Sequence, residues 1–115
     1  MVRLVKPSWV AHSGYPIFSC DLHRDGLRFV TGGGDNKIKI WSLNAVKSEE
    51  EEQNKDSPKL LAICEHWGPV NCVRFSPNGQ RLASCSDDRV VIIWELASKG
   101  PTKVFGSDET IHEVW

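Results

Sequence analysis

The chain has 115 residues, 40% hydrophobic and 25% charged, the make-up of one small globular domain. A formal net charge of −1 argues against a dedicated nucleic-acid binder, which needs a basic stripe to neutralise phosphates, and no run approaches the roughly 20 apolar residues of a membrane helix. With no apolar secretion signal in Met1–Pro7 and no Asn-x-Ser/Thr sequon, Cys20, Cys64, Cys72 and Cys85 read as free thiols of a reducing compartment.

In chain order, Arg3 to Val10 reads as a strand that belongs to a neighbouring unit. His12-Ser13-Gly14 follows, then a strand-like run from Ile17 to Leu22 and the turn pair Asp25-Gly26. Such pairs supply the positive-φ residues that tight hairpins require. Leu27 to Thr31 returns as a second strand, and Ile38 to Ile40 is a third, closed by Trp41. From Asn44 to Pro58 the sequence is polar and aperiodic and carries Glu49 to Glu52, so it reads as a solvated loop. Lys59 to Cys64 reads as a fourth strand.

The same order then returns. His66-Trp67-Gly68 leads to a strand from Val70 to Phe75, the turn pair Asn78-Gly79, and a strand from Gln80 to Ser84. Val90 to Ile93 is closed by Trp94, and Thr102 to Phe105 offers a weaker fourth strand. The tryptophans lie 53 positions apart, and His12 and His66 lie 54 apart because Tyr15 is one extra residue in the first copy.

Four strands per repeat is the grammar of a WD40 propeller blade. The expected fold is therefore all-β, a WD40 β-propeller fragment of about two four-stranded blades in an incomplete ring. Residues 1–11 are expected to supply an N-terminal strand closing another blade. Residues 12–64 form the first WD40 repeat, including the acidic loop at 44–58, residues 65–106 form the second, and 107–115 make a truncated approach to a third. Two blades cannot close a ring and leave edges and faces open, so a truncated product or a piece of a longer chain is expected.

In such blades a histidine before the first strand meets a serine or threonine on the second, an aspartate in the following turn and the tryptophan ending the third. His12, Thr31, Asp35 and Trp41 supply one expected structural network; His66, Ser84, Asp88 and Trp94 supply the other. A buried imidazole and carboxylate are tolerable only when hydrogen-bonded. The repeats depart from the usual pattern at Ala11 and Glu65, where Gly precedes His, and at Ser42 and Glu95, where Asp follows Trp.

Three chemical readings compete and each is weak. Ser84, His66 and Asp88 have the residue types of a hydrolase triad, but the set recurs in the other copy, which an active site does not need. Thr31-Gly-Gly-Gly-Asp35-Asn-Lys37 is glycine-rich but lacks the phosphate-loop spacing, and a strand follows it where a helix is required. Cys64, His66 and Cys72 lack paired-ligand spacing for zinc. A non-enzyme with no catalytic residue, metal or cofactor is expected. Tyr15, Trp67 and Asp87 fall in loops that a propeller gathers on one rim, and are expected to bind a protein partner, with packing of Tyr15 and Trp67 against neighbouring blades as the alternative.

Lys6-Pro-Ser-Trp-Val-Ala-His12, Pro16 to Ser19 and Gly26 to Gly33 closely resemble the N-terminus of the HIRA family of histone regulators. Val70 to Phe75, Leu82 to Ser84, Asp87-Asp88, Gly100-Pro101-Thr102 and Val104 to Ser107 extend the resemblance over essentially the whole chain. Its most specific parts are the Lys6 to Trp9 opening and Val104 to Ser107. The resemblance implies a nuclear histone chaperone subunit that acts in replication-independent nucleosome assembly and in transcription regulation, including repression. It implies protein partners, notably a ubinuclein-like subunit and other members of the chaperone complex, with histones met indirectly. It implies no direct sequence-specific nucleic-acid binding, no membrane and no small-molecule substrate.

Two alternatives stand beside it. The WD40 subunit of the replication-coupled chromatin assembly factor shares the flavour of the second repeat but should lack the Lys6 to Trp9 opening. Substrate adaptors of ubiquitin ligases often carry Arg three positions after the tryptophan, where this chain has Asn44 and Ala97.

Overall fold

A computed structural model describes residues 4–47, 59–97 and 100–107. Along the chain it contains β1 (Ile17–Leu22), β2 (Arg28–Gly33), β3 (Lys37–Ser42), the single helical turn α1 (Asn44–Lys47), β4 (Leu60–Glu65), β5 (Val70–Phe75), β6 (Arg81–Ser86), β7 (Val91–Ala97) and β8 (Gly100–Ser107). The strands form two four-stranded antiparallel sheets, β1-β2-β3-β4 and β5-β6-β7-β8. Each is a simple meander, called here blade 1 and blade 2, and among the described residues they form no closed ring.

Turn chemistry explains the meanders. Gly26 (φ 71°) and Gly79 (φ 74°) occupy the left-handed region at the β1–β2 and β5–β6 turns, where a side chain would be strained. The residue before each glycine braces the turn: Asp25 Oδ1 accepts the Leu27 N–H at 2.8 Å and Asn78 Oδ1 accepts the Gln80 N–H at 3.0 Å.

Repeat-equivalent positions have equivalent register. Thr31 pairs with Cys20 and Lys39, as Ser84 pairs with Val73 and Ile92. Strand alternation gives every blade two faces. Thr31 and Trp41, or Ser84 and Trp94, mark the network face; Val30, Ile38 and Ile40 lie on the back face of blade 1. Blade 2 lays its network face on that back face. Val70, Val73, Phe75 and Leu82 join Val30, Ile38, Ile40 and Cys64 in one buried cluster. Ser19 Oγ and Asp21 Oδ2 reach across and accept the N–H groups of Val73 (3.2 Å) and Phe75 (2.8 Å).

Two expectations need correction. Leu4–Val10 forms no strand; it runs irregularly with a turn at Ser8-Trp9, and Trp9 lies over Trp41 with ring centroids 5.7 Å apart. The strand was expected to close another blade, and no blade beyond these two lies among the described residues to offer it a ladder; Pro7 also has no N–H to give one. The stretch from Asn44, expected as plain loop, opens with α1. Leu43 N–H donates to Leu27 O at 2.8 Å, Val46 N–H donates to Leu43 O at 3.0 Å, and Ala45 is buried beneath. The run Glu49 to Glu52 and the approach at 108–115 lie outside the described residues.

Candidate protein interface

The histidine sets come together in both blades. In blade 1, His12 Nδ1 is 2.7 Å from Asp35 Oδ1 and Nε2 is 2.6 Å from Thr31 Oγ1, which also accepts the Trp41 Nε1–H at 2.9 Å. In blade 2, His66 Nδ1 is 3.0 Å from Asp88 Oδ2 and Nε2 is 2.7 Å from Ser84 Oγ, which accepts the Trp94 Nε1–H at 3.0 Å. Indole N–H only donates, so it fixes the direction of the whole chain of bonds. The hydroxyl accepts from tryptophan and donates its own proton to Nε2, leaving Nδ1–H to donate to the carboxylate. A neutral imidazole thereby satisfies both nitrogens, which is what burial demands.

The aspartates differ in their surroundings. Asp88 also accepts the backbone N–H groups of Trp67 and Val90, each at 2.9 Å. Burial pushes its carboxyl up, but these two donors and His66 outweigh it and hold the group below the ordinary carboxylate value. Asp35 Oδ1 accepts the Lys37 N–H at 3.2 Å, whereas Oδ2 is buried with no partner among the described residues. In blade 1 the residue after the histidine is Ser13 (φ 54°), and no bond from it replaces the one Trp67 gives Asp88.

Ser84, His66 and Asp88 thus have the distances of a hydrolase triad but not its access. Ser84 is 2% exposed and its oxygen is engaged by Trp94. The glycine-rich stretch is no anion cradle either. A Cβ on Gly32 would lie 2.7 Å from Val70 Cγ1, and one on Gly33 would lie 2.7 Å from the His12 ring, so these glycines let blade 2 and the imidazole pack closely. Cys64, in the core, has its thiol pushed up to about 11 by burial, far from the thiolate that a metal needs.

Above the blade 2 network lies an exposed rim. Trp67 is 92% exposed, its backbone pinned by Asp88. Gly68 lies against the Asp87-Asp88 backbone, which brings the Trp67 and Asp87 loops side by side. Asp87 is exposed and accepts the Asn71 side-chain N–H at 2.6 Å. A cavity lined by Asn36, Glu65, His66 and Trp67 opens beside them. Tyr15, 58% exposed, lies near the corresponding place on blade 1, two residues after Ser13, which matches Trp67; it packs against Gly34, and no described contact joins it to Trp67.

Sequence reasoning missed His23. It is buried at the β1–β2 turn, Nε2 lies 2.7 Å from Gly79 O, and its ring meets Phe75 edge-on at 4.8 Å. It therefore pins the turn of blade 1 to the turn of blade 2. The available signal was the mismatch at its repeat position, where the second copy has Ser76.

Residues 5–42 and 58–95 match the family described as WD domain, G-beta repeat. Over 98% of its length the chain is 47% identical to Protein HIRA of Takifugu rubripes and 42% identical to Protein HIRA of Homo sapiens. Over 92% of its length it is 45% identical to Protein HIRA of Zea mays. The chain spans only 11–12% of the length of these relatives.

Proposed function

Because the chain belongs to the WD40 repeat family, we propose that it is a non-catalytic docking platform, the N-terminal propeller portion of a HIRA-like histone chaperone subunit. In this reading it works in the nucleus, in replication-independent nucleosome assembly and transcription regulation. It binds protein, a ubinuclein-like subunit and other members of the complex, and meets histones through them. The networks of His12, Thr31, Asp35 and Trp41, and of His66, Ser84, Asp88 and Trp94, are structural. They hold the loops so that the rim is presented rigidly, at little entropic cost to a partner. Residues 12–64 and 65–106 act as repeat units, 1–11 takes up its strand only on the further blade that it closes, and 107–115 leads towards a third repeat.

The observation that carries the reading is Trp67, a large aromatic at 92% exposure on a backbone anchored to a buried carboxylate. Exposed aromatics on rigid supports make interface anchors, and Asp87 beside it adds a charge for a basic or amide group. Tyr15 extends the surface on blade 1. The test is Trp67→Ala in the full-length parent, measuring melting temperature and affinity for the ubinuclein-like subunit. At least a tenfold loss of affinity with an unmoved melt is expected, as for an interface hot spot costing about 2 kcal/mol. Undiminished affinity would remove Trp67 from the interface.

A further inference from the structure

The link from β4 to β5 carries two side chains that the fold does not use. His66 turns into its network, while Glu65 and Trp67 on either side of it are exposed. In blade 1 the same positions hold Ala11 and Ser13, and His12 keeps its bonds to Asp35 and Thr31 with neither a carboxylate nor an aromatic there. Among the described residues, the side chains of Glu65 and Trp67 have no hydrogen-bond, ion-pair or ring partner. Lys37 stands opposite Glu65 in the β3–β4 register but forms no ion pair with it. The two unused side chains line one cavity of about 450 Å³ together with Asn36 and His66. Its walls are fixed: His66 N–H donates to Asn36 O at 2.9 Å, and Trp67 N–H donates to Asp88 at 2.9 Å. All four lining residues belong to the joint between blade 1 and blade 2.

We infer that this cavity seats an arginine side chain of the protein partner, an assignment that rests on the docking function proposed above. Both ring nitrogens of His66 are spent, on Asp88 and Ser84, so histidine offers a ligand nothing. What remains is a carboxylate and an indole face. Both are negative, since the aromatic quadrupole places negative potential on the ring face, and together they attract a cation and repel phosphate or carboxylate. A guanidinium suits them better than an ammonium. It is planar and weakly hydrated, so it stacks on indole while its N–H fork meets the carboxylate in a bidentate pair. An apolar side chain would strip water from Glu65 and return no hydrogen bond.

The blade 1 wall is matched to the same charge. Asn36 (φ 72°) occupies the repeat position of Arg89 (φ 70°), with the same left-handed backbone. The fold therefore accepts arginine at this place. At the joint of the two blades the position is neutral instead, and the cation must come from outside. Asp87, brought beside Trp67 by the close approach of Gly68 to the Asp87-Asp88 backbone, adds to the attraction. Its one hydrogen-bond donor is the uncharged Asn71 amide, so its charge is not neutralised there.

Two measurements on the full-length parent test this. Ligand-observed saturation-transfer NMR compares N-acetylarginine amide with N-acetylcitrulline amide, which has nearly the same shape and no charge. Transfer to the arginine probe should exceed transfer to the citrulline probe, and the excess should vanish in Glu65→Gln and in Trp67→Ala. Equal transfer to both probes, or an excess that survives in Glu65→Gln, would overturn the arginine site. The second measurement is affinity for the ubinuclein-like subunit. Glu65→Gln should weaken it about tenfold, the loss of one charge-assisted hydrogen bond, and should flatten its salt dependence. Asn36→Arg should fill the cavity from within and weaken binding at least as much, with an unmoved melting temperature. Lys37→Gln, which removes a competing cation, should tighten binding, and a loss there would count against the assignment. A subunit that needs Trp67 but is indifferent to Glu65→Gln would overturn the arginine site and leave the docking function standing. A parent that binds no such subunit would remove the docking function, and the probe comparison would still decide the chemistry of the cavity. Should Asn36→Arg fail to fold, Glu65→Gln, at an exposed position, carries the test.

Discussion

Phe75 and Leu22 occupy the same place in their repeats, yet one is 8% exposed and the other 64%. The same contrast runs from Val70 to Ile17 and from Val73 to Cys20, all buried in blade 2 and all exposed in blade 1. Nothing local separates them, since strand, register and hydrophobic character match. The difference is the neighbour: blade 1 covers blade 2, and no described blade covers blade 1. A repeat position specifies a kind of surface, and stacking decides whether that surface stabilises. Blade 1 compensates in one corner. Trp9 lies over Trp41, Lys39 Nζ sits 5.6 Å from the Trp41 ring, and Trp41 stays buried although its face is open.

The two tryptophans offer the largest test of that contrast. Trp41→Ala should cost about 3–5 kcal/mol and Trp94→Ala, half-buried, the lower end of that range. Each loses apolar area and leaves a hydroxyl acceptor without its donor. Urea unfolding of the chain measures both, and an unmoved midpoint for either would take that network out of its structural role. Next come the equivalent positions themselves. Phe75→Ala should cost about 3–5 kcal/mol, as for a buried aromatic. Leu22→Ala should stay within about 0.5 kcal/mol, as for a surface change, when measured under conditions where the chain is monomeric. Equal losses would mean that blade 1 is covered after all.

A smaller effect is expected at the seam. Gly32→Ala puts a Cβ 2.7 Å from Val70 and should cost about 1–3 kcal/mol by overpacking, while Cys85→Ala, at the same repeat position, should be nearly neutral by thermal melt. The smallest is a pH effect. The Asp88 carboxyl is held low, so its contribution is fully present above the unfolded-state value of 3.8 and is lost as pH falls through the lower folded-state value. Asp88→Asn should therefore be less stable than the parent chain near neutral pH, with the gap closing below pH 3.8. A gap constant across the acid range would assign the loss to hydrogen-bond geometry, not to charge.

Much of this was legible in the residues. The second copy of His-Ser-Asp-Trp in register with the first located both networks, because a buried polar set requires fixed partners at fixed spacing. Asp25-Gly26 and Asn78-Gly79 located the hairpins, because few residues tolerate positive φ. The short strands were placed to within a few residues by alternation. The plain loop at Asn44 was misplaced, because a helical turn needs only a place to bury Ala45 and that is not visible in local pattern. Leu4–Val10 is irregular where a strand was expected, and the other blade it was expected to close is not among the described residues.

The sequence by itself determined the repeat, the strand order within each blade and the membership of each network, since these follow from alternation, turn chemistry and polar satisfaction over short distances. Only the tertiary structure decided which face of blade 1 meets blade 2, that Gly32 and Gly33 serve packing, that His23 reaches Gly79 across the seam, and that Leu22 is exposed while Phe75 is not. These depend on contacts between residues some fifty positions apart. Burial is a property of the pair of surfaces that meet, and one strand carries the pattern of only one of them.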